Sequence, residues 1–242
     1  MKRLLFLMLC LAALPAAAID GAQILQKVDR NLEPESYEAY RKLIDIQPDG
    51  SKREYVLYTL KKGRDKVEAL FLSPPSDKGR VTLRLGDNMW LYMPEVGRPI
   101  RITSLQSVTG SVFNNADILR IDYSAEYGVE AAAEEKDALV LSLKAKTGDV
   151  AYDRLKMWVD KKLLLPVAIE AYAASGLLIK TLHFKDVKDF GGGIQRPATI
   201  ETDSPLQKGY KSIMLWSGIK KASLPDEIFT LNYLPRVQEL RK

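Results

Sequence analysis

The stretch Lys52-Arg53-Glu54-Tyr55-Val56-Leu57-Tyr58-Thr59-Leu60-Lys61-Lys62-Gly63-Arg64-Asp65-Lys66-Val67-Glu68-Ala69-Leu70-Phe71-Leu72-Ser73 decides the fold. Val56, Tyr58 and Leu60 alternate with Tyr55, Leu57 and Thr59. After the turn Lys62-Gly63-Arg64-Asp65, Val67, Ala69 and Phe71 alternate with Glu68, Leu70 and Leu72. Two such runs joined by a short Gly-containing turn form an antiparallel hairpin. Both faces of each strand are apolar. A strand with one solvated face alternates cleanly between apolar and polar, so this hairpin needs cover on both faces or lines an apolar cavity.

The same pattern extends in both directions. Upstream, Tyr37–Gln47 closes at the turn Pro48-Asp49-Gly50-Ser51. Downstream, Arg80–Leu85 turns through Gly86-Asp87-Asn88 into Met89–Met93. Further strands are expected at Ala138–Lys146, Tyr152–Asp160, Val167–Ala173, Leu177–Lys188, Ile194–Thr202 and Tyr210–Gly218. No amphipathic helix separates them, which excludes a doubly wound α/β fold. A flat sheet of so many strands curls or splits. The expected fold is mainly β: an incomplete, open antiparallel β-barrel of about eleven strands, with an N-terminal helix and a helical lid.

The helix is read from Ile24, Leu25, Val28 and Leu32, one apolar stripe capped by Asp20 and ended by Pro34. The lid is read from Thr103–Tyr123, which breaks the strand pattern. It is polar through Ser104–Asn115 and then carries Ala116-Asp117-Ile118-Leu119-Arg120-Ile121, a short helical run. Val112, Phe113, Ile118 and Leu119 make it too apolar for a disordered linker, so it is expected to pack on the sheet. Near the end, Leu224–Leu234 holds two apolar clusters around Pro225 and is expected to dock on the barrel.

The chain has 242 residues, a formal charge of +5, one His and one Cys. Residues 1–18 read as a signal peptide: Lys2-Arg3, the apolar run Leu4–Leu14, then Pro15-Ala16-Ala17-Ala18. Leu9 precedes Cys10 where acylation signals have a small residue, so Cys10 is read as part of the leader. Residues 19–242 are then one exported, periplasmic domain. Cleavage near Ala18 removes Lys2, Arg3 and Cys10, leaving a charge of +3 and no cysteine. That excludes disulfides, thiol nucleophiles and thiolate metal sites, and is too small a charge to argue for nucleic acid. No cofactor and no metal is expected, and the protein is expected to be a monomer.

Motifs for chemistry are sparse. His183, the one histidine, falls inside an expected strand, and no G-x-S-x-G elbow accompanies it. Gly191-Gly192-Gly193 precedes a strand instead of a helix, so it is a hairpin loop and not a dinucleotide site. Glu134-Glu135-Lys136-Asp137 reads as a solvated hairpin tip. No catalytic residue is assigned.

Four segments together resemble the LolA-like outer-membrane lipoprotein-sorting proteins. Trp90-Leu91-Tyr92-Met93-Pro94, with Gly97-Arg98 and the basic-apolar Ile100-Arg101-Ile102, is similar to the family's signature hairpin. Gly110-Ser111-Val112-Phe113 to Asp117 resembles its "G-S-x-F-x-x-x-D" segment. Leu155–Asp160 followed by Leu165-Pro166, and Pro225–Phe229-Thr230 to Tyr233-Leu234, resemble its late hairpin and its tail. The resemblance implies a hydrophobic cavity under a helical lid and a periplasmic carrier of lipoproteins or other lipids. It implies binding instead of catalysis. It also implies a membrane partner, either an inner-membrane exporter or an outer-membrane acceptor, and a basic residue on an early strand that latches the lid. No residue of this sequence is assigned to that latch.

The expected function is therefore a carrier binding acyl chains of lipoproteins or lipids for transfer toward the outer membrane. Its expected cavity lining is Tyr58, Leu70, Leu83, Trp90, Tyr92, Met157, Ile169, Leu182 and Leu215, and its lid residues are Val112, Phe113, Ile118 and Leu119. The alternatives are an envelope sensor of the same fold, and a hydrolase using paired carboxylates or His183.

Overall fold

The computed structural model describes residues 19–241; the expected leader, residues 1–18 with Cys10, lies outside the described residues. The first element is helix α1, Gly21–Leu32. Asp20 caps it by accepting a hydrogen bond from the Gln23 N–H at 2.9 Å, and Leu25, Val28 and Leu32 are its buried stripe. Glu33, the residue before Pro34, is extended, as the proline ring requires, and the chain turns into the sheet.

The sheet begins with β1 Ser36–Ile46, β2 Lys52–Lys62, β3 Lys66–Ser73, β4 Val81–Leu85, β5 Asn88–Tyr92 and β6 Ile100–Ile102. Two short helices follow, α2 Asn115–Ile118 and α3 Tyr123–Glu126. The sheet resumes with β7 Tyr127–Glu134, β8 Ala138–Ala145, β9 Arg154–Asp160, β10 Pro166–Tyr172, β11 Leu178–Asp189, β12 Gln195–Asp203 and β13 Lys211–Lys221. The spatial order is β6-β5-β4-β3-β2-β1-β13-β12-β11-β10-β9-β8-β7. Every pair is antiparallel, and the pairing of β1 with β13 joins the two meanders. The outermost strands, β6 and β7, do not pair with each other, so the sheet stays open.

There are thirteen strands where about eleven were expected. The two additions are the edges. β6 is only three residues long. β7 reads Tyr-Gly-Val-Glu-Ala-Ala-Ala-Glu, and Ala, Gly and Glu are weak strand formers. It forms because β8 offers it a ladder and α1 packs over it. A Cβ on Gly21 would lie 2.7 Å from Val129 Cγ1 and 2.9 Å from Ala132 Cβ, so that close approach depends on glycine. Glu134–Asp137 does turn β7 into β8, as the hairpin-tip reading expects.

The two faces of the sheet carry separate cores. One core runs from Leu57 and Phe71 through Leu43 and Met214 to Met157 and Leu141, and includes α1 and the 103–127 segment. Strands distant in the sheet order share this one cluster, which requires the sheet to curl around it. The other core joins Tyr58, Leu60, Leu70 and Leu83 to Ile228, Phe229, Leu234 and Val237. These last four lie in two 3-10 turns, Asp226–Phe229 and Leu234–Leu240, that cover the outer face of β2–β4. Both apolar faces of the opening hairpin are thus buried, one inside the curl and one beneath the tail.

Candidate functional site

The segment that interrupts the strands closes over the inner face. Asn114 caps α2 through a reciprocal pair of bonds with Asp117, which lets so short a helix hold its shape. Phe113, Ile118 and Leu119 pack into the inner core, and Val112 is also buried. Three of the four expected lid residues thus lie in the inner core, and Val112 is buried outside it.

Polar contacts pin this lid at several points. Arg41 of β1 donates from Nη1 to the Ile118 carbonyl oxygen at 2.7 Å and from Nε to Thr59 Oγ1 at 2.8 Å. Arg84 of β4 donates to the Leu119 carbonyl at 3.3 Å and pairs with Glu126 of α3. Lys180 of β11 donates to the Val112 carbonyl and pairs with Asp117 at 2.8 Å. The Val112 N–H donates to Ser212 Oγ at 3.0 Å, and Ser212 in turn donates to Asp45 at 2.6 Å. Main-chain groups that a four-residue helix leaves unpaired are satisfied by the sheet.

Between lid and sheet lies a cavity of about 30 Å³. Its walls are Phe113, Tyr152, Leu155, Ile169, Leu182 and Met214, and Asp117, Arg120 and Glu126 line its lid side. Small-molecule pockets measure roughly 300–1,000 Å³, so this volume is too small for an acyl chain. Asp117 is the polar centre: Tyr152 donates to it at 3.0 Å, opposite Lys180.

Of the expected lining, Met157, Ile169 and Leu182 belong to the inner core, and Ile169 and Leu182 touch the cavity. Tyr58, Leu70, Leu83, Trp90 and Tyr92 lie on the other face, under the C-terminal turns. Leu215 points away from the cavity, because its neighbours Met214 and Trp216 take the inner face. These six are corrected as lining: on doubly apolar strands a one-residue choice of face reverses every side chain, and the tail covers the face they occupy. His183 is exposed on β11. Among the described residues no group of three His, Cys, Asp or Glu could hold a metal ion.

Lidded open sheets of this kind have relatives. A family model described as an uncharacterized protein matches residues 63–236. A LolA superfamily protein from Nitrosomonas europaea superposes with a TM-score of 0.80 at 28% identity, over 89% of this chain and 100% of its own. The chain belongs to the family of that model, and its fold is LolA-like. A Vibrio parahaemolyticus domain named for outer membrane lipoprotein sorting shares the fold at 23% identity and a TM-score of 0.76, over 89% of this chain and 98% of its own. So does a DUF1329 family protein from Desulfovibrio piger, at 22% identity and 0.77, over 88% and 97%. No curated protein matches the chain in sequence. No helix among the described residues is long and apolar enough to cross a membrane.

In this LolA-like chain a cluster of buried charges adjoins the cavity, and sequence reasoning missed it. Glu33, at the end of α1, pairs with Arg120 of the lid and with Lys61 at 3.3 Å, and lies 3.6 Å from Arg196. Burial pushes the Glu33 carboxyl up, but Arg120, Lys61, Arg196 and Arg41 outweigh it and bring it down to about 2. Asp29 accepts the Tyr123 and Ser124 N–H groups at 2.8 and 2.9 Å, tying α1 to α3. Charged side chains are rarely fully buried unless paired, so the alternation Tyr37, Ala39, Arg41, Leu43, Asp45 does not read as an inward face from sequence.

Proposed function

We propose that this protein is a periplasmic carrier that takes up acyl chains of lipoproteins or lipids beneath the Thr103–Tyr123 lid and hands them on toward the outer membrane. The observation that carries this reading is a small, largely apolar cavity under a lid held by polar contacts from Arg41, Arg84 and Lys180. Each such charge-assisted bond contributes about 1.5–3 kcal/mol. Each methylene of a cargo withdrawn from water returns roughly 0.8 kcal/mol, so a long acyl chain offsets the loss of several. The lipoprotein-sorting name of the Vibrio parahaemolyticus neighbour agrees with this reading. The partners would be a donor in the inner membrane and an acceptor in the outer one.

The test is transfer of a fluorescent lipid from donor to acceptor vesicles by the purified chain. Transfer is expected, and Leu119→Asp, which places a carboxylate on the buried underside of the lid, should weaken it. Binding without transfer would favour the sensor reading. Absence of binding would overturn the carrier.

A further inference from the structure

We infer that the cargo carries an anionic head, held by Arg41 and Arg196, which both stack on the Trp216 ring, while its chain fills the lidded cavity. This rests on the carrier reading and adds the substrate class. Arg196 is fully buried, and its guanidinium stacks 3.7 Å from the Trp216 ring centroid. Arg41 is buried too and stacks on the same ring at 4.7 Å. Arg41 Nη2, both terminal nitrogens of Arg196 and Trp216 Nε1 are buried without a hydrogen-bond partner among the described residues. All four atoms are donors, so what completes them is an oxygen-rich acceptor.

The charge balance points the same way. Four cations, Arg120, Lys61, Arg196 and Arg41, act on the single carboxylate of Glu33. Asp122 shares Lys61 at 2.8 Å and buried Asp29 acts on Arg120, but four cations still outnumber these three carboxylates, and Glu33 is already hydrogen-bonded by Tyr37. Arg196 reaches Glu33 only at 3.6 Å, too far for a hydrogen bond. A surplus of buried positive charge is costly unless an anion joins it. The site also adjoins the cavity wall. Arg41 Nη1 lies 3.9 Å from the sulfur of Met214, a cavity wall residue, and the same nitrogen donates to the lid at the Ile118 carbonyl. Lid opening frees that nitrogen, and an anionic head then replaces the Ile118 carbonyl. Carboxylate and phosphate share this chemistry.

Two chain-matched fluorescent pairs test the inference by titration of the whole chain: a fatty acid against its fatty alcohol, and phosphatidylglycerol against the diacylglycerol that lacks its phosphate. The anionic member of at least one pair should bind about tenfold tighter, the worth of one charge-assisted bond. Preference for the acid marks a carboxylate head, and preference for phosphatidylglycerol marks a phosphate. Arg196→Gln should remove the preference, and Arg196→Lys should keep it. Equal affinities within both pairs, or a preference that survives Arg196→Gln, would overturn the head site and leave the carrier intact. Failure of all four probes to bind would overturn both. If Arg196→Gln does not fold, the wild-type pairs decide.

Discussion

Arg41 Nη1 lies 2.7 Å from the carbonyl oxygen of Ile118, joining the first strand of the sheet to the last residue of the lid helix. Arg41→Leu removes the bond and leaves the carbonyl unsatisfied, at a cost to the closed lid of about 1.5–3 kcal/mol. Amide hydrogen exchange across residues 103–123 should accelerate by about tenfold or more, while the sheet amides of β8–β10 keep their rates. Unchanged lid exchange would show that Arg41 does not hold it.

Glu33 answers several cations at once. Glu33→Gln leaves Arg120, Lys61 and Arg196 facing no carboxylate at that point, and breaking such a buried set costs about 3–5 kcal/mol. The pH dependence has a definite sign. The folded carboxyl, at about 2, lies below its ordinary value of 4.5, so its contribution is complete above that ordinary value and is lost as pH falls toward 2. Wild-type melting temperature should drop through this window more steeply than that of Glu33→Gln. Parallel curves would contradict the assignment.

Glu68 has the opposite sign. It is fully buried on β3, both its oxygens lack partners among the described residues, and burial holds its carboxyl well above the ordinary range. An acid whose folded value is raised destabilises increasingly as pH rises past the unfolded value. Glu68→Gln should therefore raise the melting temperature at pH 8 and change it little at pH 4. A gain of equal size at both values would point to packing instead of ionisation.

The outer core predicts a purely structural variant. Phe229 is 2% exposed, and in that core it joins Leu70 and Leu83. Phe229→Ala should cost about 3–5 kcal/mol of stability, measured by urea denaturation. Below its transition the variant should bind fluorescent fatty acid as the wild type does. Loss of binding in the folded variant would mean that the outer face, and not the inner one, holds the ligand.

How much of this was legible beforehand differs by level. Strand positions, turns, the capped first helix and the short helical run of the lid follow from period, turn residues and caps, all local properties. The strand β7 did not, because its Ala-rich composition has no strand preference of its own and pairs only where β8 and α1 present a site. The lid's buried residues, Val112, Phe113, Ile118 and Leu119, were legible as large apolar side chains in an otherwise polar segment. The contacts that pin this segment were not, because Arg41, Arg84 and Lys180 look like solvated strand residues until the segment supplies their acceptors.

The sequence by itself determined an antiparallel meander whose strands are apolar on both sides, since alternation and turn chemistry act within a few residues. Which side becomes the interior was decided only in three dimensions. The tail turns around Phe229 cover Tyr58, Leu70 and Leu83, while α1 and the lid cover Leu57, Met157 and Leu182. Two apolar faces of one strand are equivalent to a local reading. What distinguishes them is the distant segment that reaches each one, and the charges of Arg41, Arg196 and Glu33 that come to rest on the inner face alone.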